Sequence, residues 1–98
     1  MQENPSQSRD SRRNPRSNAG QDALIERALL SLVLVSHPDQ LTFAELVREL
    51  SEDPEHPAQR DAVERAVRDL TGSGLLHRHG PFVLPTRAAL RFDRLALA

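Results

Sequence analysis

Two histidines two positions apart, His77 and His79, and several arginines at helical spacing are the side chains here with chemistry to offer. On a regular strand His77 and His79 share a side, as a metal pair would. The chain has no cysteine, and no carboxylate lies near the two histidines in sequence, so the other ligands of a zinc site are missing. Neither metal nor cofactor is expected, and exposed polar residues are the plainer reading. Catalysis has as little support. There is no Cys, Tyr or Trp, no Gly-rich phosphate loop and no base–nucleophile pair at a recognisable spacing, so no enzyme is expected. The three Phe fall at positions read as core, which leaves no aromatic platform for single-stranded nucleic acid.

The arginines have two readings. Arg60–Glu64, Asp61–Arg65, Glu64–Arg68 and Arg65–Asp69 are each four apart, a ladder of opposite charges that supports a solvated helix. Each such exposed pair contributes only ~0.3–0.5 kcal/mol, so the guanidinium groups can leave it for phosphate. Arg87, Arg91 and Arg94, spaced four and three apart, form either a solvated face or a phosphate-facing stripe. Charge is uneven along the chain although the formal net is −1. The first 21 positions carry Arg9, Arg12, Arg13 and Arg16 against Glu3 and Asp10. The segment from Asp39 to Asp69 is strongly acidic, and His77 to Ala98 is basic again. Glu52, Asp53 and Glu55 complement the positive end of the helix that follows them, and they would also repel phosphate.

The elements that must position these residues are legible in the pattern. Residues 1–21 hold too little apolar surface to offset the entropy of ordering and are read as a disordered basic tail. Residues 22–98 are read as one folded domain. Asp22 to Ser36 is helical, with Leu24, Ile25, Ala28, Leu29 and Leu32 recurring on one face and Leu30 and Leu34 on a second with Ala23. His37-Pro38-Asp39 ends it. Thr42-Phe43-Ala44-Glu45 fits a capping box that opens a short helix buried through Phe43, Leu46, Val47 and Leu50. After a polar connector, Pro57 suits the first turn of a third helix with Ala62, Val63, Ala66, Val67 and Leu70 inward. Gly72 or Gly74 supplies its left-handed cap. Leu75 to Leu84 changes period and reads as a short hairpin turning at Gly80-Pro81. Thr86 caps a last helix with Ala88, Phe92, Leu95 and Ala96 on its inner face.

This order of elements resembles the winged helix-turn-helix superfamily of bacterial transcription regulators. The residues that carry the likeness are Leu41 to Leu50, Asp61 to Gly80 and Phe82 to Thr86. The resemblance implies a mainly α (α+β) fold, a three-helix core with a short β-hairpin wing and a C-terminal helix. It implies a short first strand at Leu41, a recognition helix at Pro57 to Leu70, and a wing at Leu75 to Leu84. It also implies duplex DNA as partner, with Gln59, Arg60, Glu64, Arg65 and Arg68 facing the groove and His77, Arg78 and His79 on the wing. Arg87 and Arg91 join this expected surface as the phosphate-facing stripe. Six residues separate the second and third helices, where such motifs usually have three or four.

Leu30 with Leu34, and Leu90 with Leu97, are apolar beyond the needs of a small core. Packing of the first helix on the last explains some of them, and a homodimer seam explains them all. The acidic region around the second and third helices offers an alternative role, a docking face for a protein partner without DNA binding. The longest apolar run, Ala28 to Val35, is far short of the ~20 residues a membrane span needs, so no membrane association is expected. A cytoplasmic location is the default expectation.

Overall fold

A computed structural model describes residues 15–96, with side-chain environments from residue 20 onward. Among the described residues four helices and one small antiparallel sheet make an α+β arrangement: α1 (Pro15–Ser36), β1 (Leu41–Thr42), α2 (Phe43–Leu50), α3 (Pro57–Gly72), β2 (Leu76–His79), β3 (Phe82–Pro85) and α4 (Arg87–Ala96). The sheet order is β1-β3-β2. Leu41 pairs with Val83 and Thr42 with Phe82, while β2 runs back along β3 from His79↔Phe82 to Leu76↔Pro85.

Helix α1 starts at Pro15 rather than near Asp22, so the last seven residues of the expected tail are helical. Proline suits a first turn, because its missing amide hydrogen has no intrahelical partner to lose. Arg9, Arg12 and Arg13 lie outside the described residues. The inward stripe of α1 is also rotated from the expected one. Leu29 and Val33 are fully buried, with Ile25, Leu30 and Leu32 packed alongside, while Leu24 is 61% exposed and Ala28 faces out. A helix that is apolar nearly all round has no unique inner face by periodicity, so its packing against α3 chooses one.

Helix α2 begins with the expected capping box. The Glu45 amide donates to Thr42 Oγ1 at 3.1 Å, and the Thr42 amide donates to Glu45 Oε1 at 2.7 Å. The Thr42 backbone and hydroxyl donors, helped by Arg48, hold the Glu45 carboxyl below its usual 4.5. A depressed carboxylate pKa stabilises the fold fully above the unfolded value, and that contribution is lost as pH falls through the lower folded value. Thr42→Ala should cost about 1 kcal/mol at neutral pH, the usual worth of an N-cap side chain. Urea midpoints measured from pH 7 down to acid should show a narrowing gap between the two proteins.

Helix α3 opens on His56, whose Nδ1 accepts from the Ala58 amide at 3.2 Å, with Pro57 in the first turn. It closes on Gly74 at φ 84°, where the Leu75 amide donates to the Leu70 carbonyl and the Gly74 amide to that of Thr71. These are the two bonds of a Schellman cap, and Leu75 packs back onto the core as that motif favours. The hairpin turns on Gly80 (φ 60°) followed by Pro81, the pattern of a type II′ turn. The core joins Leu29 and Val33 of α1, Leu46 and Val47 of α2, Val63, Ala66, Val67 and Leu70 of α3, and Leu76 and Val83 of the sheet.

Helix α4 is where expectation and structure part most. Thr86 does cap it, accepting from the Ala89 amide at 3.1 Å while donating to the Gly74 carbonyl at 2.7 Å. That second bond, with the Thr86 amide on the Leu75 carbonyl, ties the helix start to the α3 cap and sets its rotation. Ala89 turns inward as a result. The expected inner face is outside: Phe92 is 70% and Leu95 59% exposed, and Ala88 and Ala96 are exposed too. Phe92 is thus not a core residue, and Phe43 and Phe82 are only half-buried. Leu30 packs against the core, Leu34 and Leu90 are half-buried, and Leu97 lies outside the described residues. Among the described residues the large apolar side chains that α1 and α4 leave in solvent are Leu24, Val35, Phe92 and Leu95. Among the described residues no helix is long and apolar enough to cross a membrane.

Candidate nucleic-acid interface

The two arginines that the structure brings together are Arg60 and Arg78, and a ring joins them. The guanidinium carbons lie 5.4 Å and 5.3 Å from the centroid of Phe43, within cation–π range of the same aromatic group. Three elements produce this junction. Phe43 is the first residue of α2, and its amide donates to the Pro81 carbonyl at 2.9 Å, which fastens the helix start to the hairpin tip. Arg78 sits opposite Val83 in β2, two residues after the buried Leu76 and so on the same face of the sheet. Where that face runs out of core, Phe43 covers its edge and the Arg78 side chain lies over the ring. Arg60 arrives from the flank of α3.

Both arginines are exposed, so each interaction with the ring contributes about 0.5–1 kcal/mol and positions the cation more than it stabilises the fold. A guanidinium over a ring keeps its in-plane N–H donors free for an oxyanion. The junction therefore presents two oriented cations from α3 and the hairpin on one patch, suited to phosphate or to a guanine edge.

The remaining expected site residues divide sharply. The charge ladder along α3 does not form. Among the described residues the one ion pair is Arg65–Asp22 at 3.4 Å, which reaches from α3 across to α1. The cause is rotational: at 100° per residue, Arg60 and Arg65 lie on opposite flanks of α3 and are taken up by Phe43 and Asp22. Asp61, Glu64 and Arg68 occupy the exposed row between those flanks. Gln59 is occupied as well, its Oε1 accepting from the Asp53 amide at 3.1 Å. The connector before α3 is ordered by this bond, by the Glu55 amide on Asp53 Oδ1, and by the His56 amide on the Asp53 carbonyl. It presents Glu52, Asp53 and Glu55 to solvent.

His77 and His79 are exposed on the sheet face opposite to Arg78, across from Leu84 and Phe82. Among the described residues no three metal-ligating side chains gather. Arg87 and Arg91 are exposed on α4, which packs on α1 and β3 rather than at the Phe43 junction. Phe43 is the residue that sequence reasoning missed. Its place beside the Thr42 cap marked it as a helix start, but nothing local links it to arginines 17 and 35 residues away. Comparison of the chain with protein-family models, with curated proteins and with solved structures finds no match.

Proposed function

We propose that this chain is a winged helix-turn-helix protein that binds duplex DNA and acts on transcription. In this reading β2 and β3 are the wing and α3 is the recognition helix. The observation that carries it is the convergence of Arg60 and Arg78 on Phe43. It sets one cation of the recognition helix beside one of the wing, where a duplex backbone passing along both would meet them together. The order of elements and the β1-β3-β2 sheet support the same reading. Arg68 is the α3 arginine left on the outward row, and it is the residue for base readout. Gln59 and Arg65 would have to give up their present partners to serve.

The test is fluorescence anisotropy with a random duplex at two salt concentrations. Binding that weakens steeply with salt is expected, because each neutralised phosphate releases condensed counterions. No binding at low salt overturns the proposal. A second reading has its own observation. Asp61 and Glu64 share the outward row of α3, next to the exposed acids of the connector, and together they make an acidic face suited to a basic protein partner. Recovery of one stoichiometric protein from lysate, together with absent DNA binding, favours that reading.

A further inference from the structure

Two surfaces of this chain are unfinished in complementary ways. The first is an open cleft of about 850 Å³ between α1 and the N-terminal half of α3, closed at one end by the exit of α2. Its floor is apolar, built from Leu24, Ile25, Leu50, Ala62 and Val63, and Asp22, Glu52 and Arg65 stand on its rim. Arg65 is already engaged by Asp22, and the exposed acids Asp53 and Glu55 follow Glu52 in the connector. The rim is acidic on balance.

The second surface is the outer side of α4. At 100° per residue, Ala88, Phe92 and Leu95 form an apolar strip, and Arg87, Arg91 and Arg94 form a basic row directly beside it. An apolar strip edged with arginines matches an apolar floor edged with carboxylates. We propose that α4 of a second copy of this chain docks in the α1–α3 cleft, Phe92 and Leu95 entering over Leu24 while Arg91 and Arg94 face the Glu52 side of the rim. Of the four large apolar side chains exposed among the described residues, this interface covers Phe92 and Leu95 of one copy and Leu24 of the other. The strip and the cleft are different surfaces. The association is therefore heterologous, and it closes into a dimer only if each copy can also receive the other's helix. The proposal stands apart from the DNA reading and survives its failure.

Sedimentation of the full chain over a wide dilution series reads the association directly. A species heavier than the 11.0 kDa chain, growing with concentration, is expected. Phe92→Asp should weaken self-association at least about tenfold, the scale of a buried aromatic anchor at an interface. Thermal melting in the monomeric range should change little, because Phe92 is exposed within one copy. Glu52→Arg and Arg91→Glu should each weaken association alone, and a mixture of these two variants should recover it in mixed species. That recovery decides the matter even if Phe92→Asp disturbs folding. A chain that stays monomeric at every concentration overturns the proposal, as does association indifferent to all three substitutions.

Discussion

Leu29→Ala should remove about 2–5 kcal/mol from the stability of this domain. The side chain is 0% exposed and sits where α1 meets the core. Truncation loses the transfer free energy of its carbons and leaves a cavity that two packed helices cannot easily close. A domain of this size is stable by only about 4–12 kcal/mol, so a large share of the total goes with one residue. The expected fall in melting temperature is roughly 10–30 °C, read by circular dichroism. Leu24→Ala is the matched comparison, just over one turn earlier on the same helix. At 61% exposure it should change stability by no more than about 0.5 kcal/mol. If Leu24→Ala were the costlier substitution, α1 would be rotated from the orientation described above.

In the proposed DNA-binding role, Arg60→Ala combined with Arg78→Ala should reduce the magnitude of the salt slope of duplex binding by about two, one for each phosphate left without its cation. Affinity at moderate salt should fall roughly tenfold or more for each arginine, since a charge-assisted hydrogen bond is worth ~1.5–3 kcal/mol. The loss should be alike for all sequences, whereas Arg68→Ala should alter preference among sequences. Phe43→Leu separates positioning from charge. It keeps apolar bulk at the head of α2 and both cations, but removes the ring over which they lie. Binding should weaken with the salt slope nearly unchanged, because the same charges would have to be ordered at the moment of binding. A Phe43→Leu protein that binds like the parent would reduce the ring to a piece of core.

The features legible in the chain are those set within a few residues. Thr42 with Glu45, Pro57 in a first turn, Gly74 after the third helix and Thr86 before the last all stand where the pattern puts them. Each is a short-range match between a side chain or turn residue and a backbone group left without a partner, so nothing distant can move it. The inner faces of α2 and α3 were legible for a related reason. Their apolar residues fall on one side only, and a single stripe has one way to be buried.

Faces and partners that depend on distant elements were not legible. Helices α1 and α4 carry apolar residues on more than one side, and their rotation came from outside: from α3 for the first, and from the Thr86 bonds to Gly74 and Leu75 for the second. The same holds for the arginines. By sequence those of α3 balance acids four residues away, a pairing weak enough for any better-placed group to displace. Folding supplied such groups from other elements, Asp22 for Arg65 and Phe43 for Arg60 and Arg78. The expectation of cationic recognition was read from residue types alone. Where those cations stand depends on long, flexible side chains choosing among partners of similar strength, and the packing of the elements settles that choice.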